Sequence, residues 1–145
     1  MNTRIKRGQF DLSFGMIFSI FLIVVFIAFA VYAIIKFLEF QDTIKIEKFV
    51  DDLRQDIDAM WKGDQGSQKV EYSLPTKIEE VCFVDDEYEN LIFNSKQIIQ
   101  GKDIENINTE SMTSKENPYC IENVKGKVKM TIVKNYGETL VRITR

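Results

Sequence analysis

Residues 14–35 read FGMIFSIFLIVVFIAFAVYAII and carry no charge; Ser19 is the one clearly polar side chain. As a helix at 1.5 Å per residue the run reaches roughly 33 Å, against about 30 Å for a hydrocarbon core. A buried soluble helix is usually shorter and keeps a polar face. This run has none, so the pattern predicts a transmembrane helix. Lys36 follows at the far end, where its stem can snorkel to the interface.

The flanks set a direction. Arg4, Lys6 and Arg7 precede the run, with no acid before Asp11, whereas residues 36–62 hold five Lys/Arg against seven Asp/Glu. The positive-inside rule then places the N-terminus in the cytoplasm and the bulk of the chain outside. A cleaved secretory signal is the rival reading, with Ala28-Phe29-Ala30 as its site. Such a signal has an apolar core of about 7–15 residues, and cleavage there would leave the stub VYAIIKFL on the product, so retention of the helix is the better reading.

The helical pattern continues past Lys36. Apolar residues recur at Phe37, Phe40, Ile44, Phe49, Val50, Leu53, Ile57 and Met60, mostly three or four apart, with one irregular step around residues 46–49. That is one stripe of an amphipathic helix, with Glu47, Asp51, Asp52, Asp56 and Asp58 on the opposite, exposed face. No Gly or Pro interrupts residues 16–62, and Gly63 is the first plausible stop. The pattern predicts one helix over about residues 12–62, or two helices broken near Gln41-Asp42-Thr43.

After Ser67 the period changes. VEYSL, IEEVCFV and NLIFN read as short strands, and residues 101–118 as a long polar, irregular connection. KVKMTIVK alternates Val128, Met130 and Ile132 against Lys127, Lys129 and Thr131. This predicts a hairpin of residues 127–134 and 138–144, turned at Asn135-Tyr136-Gly137 with Gly in the left-handed region. The fold class is therefore α+β: a long N-terminal helix, transmembrane and then amphipathic, packed by a small C-terminal antiparallel β domain. The division is a basic leader (1–8), the helix (9–62) and a β-rich domain (67–145).

The two cysteines, Cys82 and Cys120, both fall in the part predicted to be exported. In an oxidising compartment they would bridge, closing a loop of about 39 residues and contributing up to about 4 kcal/mol; the alternative is two buried thiols acting as small hydrophobes. The chain has no histidine, which excludes a His triad and a His-liganded zinc site. Two cysteines cannot by themselves make a four-thiolate site. The acidic cluster Asp85-Asp86-Glu87-Glu89 lacks the spacing of a calcium loop and reads as a solvated turn. Trp61 reads as a packing residue under the sheet. Net charge is −3, so no nucleic-acid partner is expected. No cofactor, metal or catalytic constellation is expected, and the chain does not read as an enzyme.

Lys6-Arg7-Gly8-Gln9 lies directly before the apolar run, which leads through an amphipathic helix into a small β domain. This resembles type IV pilin-like proteins, specifically the archaeal kind with class III signal peptides. The resemblance is architectural over the whole chain and rests on a short motif at the N-terminus. It implies cleavage after Gly8 by a membrane prepilin peptidase, a mature chain that starts at Gln9, and an apolar helix retained to pack in a filament or pseudopilus. Many members carry Glu at the fifth mature position to neutralise a neighbour's terminal amine. Here that position is Ser13, and Asp11 is the nearby acid, either as that partner or as an ordinary helix N-cap.

Two functions follow. The first is a pilin-like structural subunit that meets membrane lipid and assembles with itself or other pilin-like subunits, at the plasma membrane or in a surface filament. The second is an uncleaved single-pass signal anchor that presents its extracellular domain to a partner.

Overall fold

A computed structural model describes residues 14–96 and 99–145. The expected processing site, Gly8 and Gln9, and the acid Asp11 lie outside the described residues. Helix α1 spans Phe14–Lys62 and runs without a break through Gln41-Asp42-Thr43. Among the described residues six strands follow: β1 (Gly66–Ser73), β2 (Ile78–Phe83), β3 (Leu91–Ser95), β4 (Tyr119–Val124), β5 (Lys127–Lys134) and β6 (Arg142–Thr144), with a short helix α2 (Thr109–Thr113) before β4. All strand pairs are antiparallel, in the order β1-β5-β4-β2-β3, with β6 also on β5. The expected α+β architecture is the one observed.

The chain divides into two units, one ending at Phe40 and the other Gln41–Arg145. The amphipathic turns of α1 thus belong with the sheet. In that second unit Ile46, Phe49, Val50, Leu53 and Ile57 of α1 are buried. They share one core with Tyr72, Val81, Phe83, Val128, Met130 and Ile132. Phe49 meets Tyr72 and Phe93 edge-on, at ring-centroid distances of 5.3 and 6.0 Å. The strict alternation of β5 explains the packing: Val128, Met130, Ile132 and Lys134 are buried, whereas Lys127 and Lys129 are exposed.

The buried stripe differs from the expected one. It starts at Ile46, and Phe37, Phe40 and Ile44 are exposed. The irregular step at residues 46–49 is where the core-facing stripe begins. Asp52 and Asp56, expected on the open face, are half-buried; Asp56 accepts a 2.6 Å hydrogen bond from the Tyr72 hydroxyl. Burial and this carboxylate together push the Tyr72 hydroxyl far above its ordinary ionisation, so it stays a donor. Trp61 does not lie under the sheet: it is 40% exposed, and its indole N–H donates to the Thr139 carbonyl at 3.1 Å.

The helix ends at a buried lysine. Lys134 Nζ donates to the carbonyls of Trp61 (2.6 Å) and Gly63 (2.7 Å), satisfying acceptors that the last turn leaves open and placing a cation at the negative end of the helix.

Two strand expectations change. β5 and β6 do pair, but β6 has only three residues, and the connection spans residues 135–141. Gly137 is left-handed as expected (φ +85°). The tight hairpin is instead β4–β5, where Val124 pairs with Lys127 across Lys125-Gly126. Both turn residues have positive φ (54° and 81°), as a two-residue type I′ turn requires. Residues 101–118, expected to be irregular throughout, hold the short helix α2, and the segment is firmly attached. Ile104, Ile107 and Met112 are buried there, and Asn90 clamps Ile104 through two 2.8 Å bonds, one to its N–H and one from its own amide to the Ile104 carbonyl.

Candidate functional site

The most unusual surface is the first part of α1. Every residue from 14 to 40 is exposed. The helix has a mean hydropathy of 3.0 over its most apolar window, with none of that window buried, and is long and apolar enough to cross a membrane. Twenty large apolar side chains in this stretch face outward. At ~1.5–3 kcal/mol for each fully transferred side chain, and with about half of each exposed, their hydration costs on the order of 20 kcal/mol or more. That is larger than the net stability of a typical domain, about 5–15 kcal/mol, and the helix is long and apolar enough that it could cross a membrane.

Local chemistry suits an apolar surrounding. The Ser19 hydroxyl donates to the Gly15 carbonyl at 2.8 Å, so its one polar group is satisfied inside the helix. The first charges beyond the run neutralise one another, Lys36 pairing with Glu39 at 2.8 Å. The stretch carries Phe18, Phe21, Phe26 and Phe29 together with the small residues Gly15, Ala28, Ala30 and Ala33, a type that permits close helix approach in lipid.

In the Gln41–Arg145 unit the two cysteines form the expected bridge. Cys82 and Cys120 are direct partners across β2 and β4, with S–S 2.06 Å. Glu80 approaches both sulfurs, but bridged sulfurs are not thiolate ligands, and a single carboxylate does not make a metal site. The acidic cluster is a turn: Asp86 accepts the N–H groups of Tyr88 (2.8 Å) and Glu89 (3.0 Å), which hold its carboxyl below the usual range.

Two clefts of opposite charge were not anticipated. One, of about 620 Å³, lies over the face of the sheet away from α1 and is lined by Lys125, Lys127, Lys129 and Arg145 with Glu71 and Glu122. Glu71 accepts from Lys127 (3.2 Å) and Lys129 (3.3 Å), and these two lysines lower its pKa. The other, of about 310 Å³, is lined by Arg54, Asp58, Asp103 and Glu105. Its guanidinium is tied to the Asp103 carbonyl at 2.8 Å.

No family model, curated protein or solved structure matches this chain.

Proposed function

We propose that the chain is a pilin-like structural subunit. It is held in the plasma membrane by the apolar part of α1, processed between Gly8 and Gln9, and assembled through that helix into a pilus-like filament or pseudopilus-like complex. The observation that carries this reading is the uncovered stretch from residue 14 to residue 40, continuous with turns of the same helix that anchor a small disulfide-bonded sheet. A helix exposed over its whole circumference can meet lipid and neighbouring helices in turn. The Cys82–Cys120 bridge supports an oxidising, extracytoplasmic location for the sheet, in keeping with the basic flank at Arg4, Lys6 and Arg7.

The test is the intact mass and N-terminal sequence of the protein purified from its native membrane. A start at Gln9 is the expected result, and replacing Gly8 with a bulky residue should abolish it. A start at Met1 or Asn2 would refute processing and leave a single-pass signal anchor that presents its domain to a partner.

A further inference from the structure

The two oppositely charged clefts lie on opposite sides of the Gln41–Arg145 unit. On β5 the inward set Val128, Met130 and Ile132 packs with the α1 stripe, so Lys127 and Lys129 project from the other face of the sheet. Register brings Glu71 and Lys69 of β1 to the same face, opposite Lys129 and Thr131. On α1, Phe49, Val50, Leu53 and Ile57 are turned into the core, so the exposed Asp51, Arg54 and Asp58 face away from the sheet. The segment clamped by Asn90 adds Asp103 and Glu105 beside them.

The charges are complementary in sign, with Arg145 of the groove also paired to Glu116 at 2.6 Å. The groove on the sheet has four cations against two carboxylates; the cleft on the helix side has three carboxylates against one guanidinium. Val124, 60% exposed, adds an apolar side chain to the charged lining of the groove, a mixture that protein–protein contacts also show. The ion pairs within the groove are exposed, and such pairs contribute little, about 0–1 kcal/mol, so they can exchange for a neighbour's carboxylates.

We propose that the lysine-rimmed groove of one copy receives the acidic cleft of the next, so that the sheet-bearing units stack front to back. A contact between two different patches of the same chain is heterologous. It repeats without self-pairing and generates a ring or an open helical array, not a two-fold dimer. This inference rests on the pilin-like reading and names the surfaces that set the order of copies.

The test is zero-length carboxyl–amine cross-linking of full-length protein in membranes, with isotopically light and heavy copies mixed. The expected products are mixed-isotope peptides that join Lys127 or Lys129 to Asp58, Asp103 or Glu105. Mixed-isotope links between positions 127 or 129 and positions 103 or 105 should be lost in K127E/K129E and in D103K/E105K, each of which leaves like groups facing one another, and should reappear with the amine and carboxylate exchanged when all four changes are in one chain. Trp61 fluorescence checks that each variant is folded. Copies that associate but cross-link only within themselves, or through other surfaces, would overturn the stacking and leave the pilin-like reading standing. Copies that do not associate at all would remove both. Binding of the groove to anionic vesicles in place of a second copy would also overturn the stacking.

Discussion

Asn90→Ala is the sharpest probe of what orders the polar segment before α2. Asn90 is 8% exposed, and its side chain makes two 2.8 Å bonds to the backbone of Ile104, itself 2% exposed. Truncation leaves the buried Ile104 N–H and C=O without the amide that satisfies them. Each such group costs about 1–3 kcal/mol, so the expected loss is about 2–6 kcal/mol. With a urea m-value of about 1–1.5 kcal/mol/M for a unit of this size, the midpoint should fall by about 1.3 M or more. The assay is urea unfolding of the full chain in lipid nanodiscs, followed by fluorescence. Trp61 is the only tryptophan, and its indole bond to Thr139 makes it report on the sheet-bearing unit. Asn94→Ala is the matched control: Asn94 is exposed and bonds Glu80 at 3.1 Å, so its loss should cost less than about 0.5 kcal/mol. A midpoint for Asn90→Ala within about 0.3 M of the parent would show that Ile104 is held by packing alone, and the clamp argument would be wrong.

Lys134→Met should destabilise the same unit by about 1–3 kcal/mol, because the carbonyls of Trp61 and Gly63 lose their donor; the urea midpoint checks it. Replacing both Cys82 and Cys120 with Ala should cost about 2–4 kcal/mol yet preserve the fold, since β2 and β4 remain paired; far-ultraviolet circular dichroism and the urea midpoint together test this. The Asn135 N–H, with Arg142 beside it, holds the Glu138 carboxyl below its ordinary value of 4.5. A lowered carboxyl pKa contributes stability that is complete above the ordinary value and lost as pH falls through the folded value. Glu138→Gln should therefore flatten the acid limb of the stability profile below about pH 4.5, and an unchanged limb would exclude Glu138 as a contributor.

How far the fold is legible in the sequence depends on the range over which each element is determined. Local period suffices for β5, where every second residue is buried, and for the helical character of α1, but it leaves open whether α1 is one helix or two and misplaces where its buried stripe begins. It suffices for the bridge only because two cysteines leave one intramolecular pairing. β4 escapes because YCIENV does not alternate cleanly; its signal is the Lys125-Gly126 pair at the turn, with a glycine where positive φ is required. β1 begins earlier than its apolar residues suggest, since its first turn of chain pairs with β5. Residues 101–118 show little local pattern because their order comes from distant partners: Asn90, Arg54 and Val141. The charged clefts are hidden for the same reason. Lys127 and Lys129 are readable as the polar side of an alternation, but register is what gathers them with Glu71 and Arg145.

The apolar helix and the charged faces would make different contributions to an assembly. Apolar burial is non-directional and roughly proportional to area. On the pilin-like reading that term would hold each copy in lipid, where no hydrophobic drive is left between helices, and so would say little about rotations and offsets. Charge complementarity contributes less affinity and more register, because a misplaced like-charge contact is penalised. If both act, salt separates them. The Debye length falls from about 10 Å at 0.1 M to about 3 Å at 1 M. Raising salt should abolish the cross-links between Lys127 or Lys129 and the acidic cleft while the copies stay associated through α1. Cross-links that persist undiminished at 1 M salt would mean that packing around Val124, not the lysine rim, sets the register.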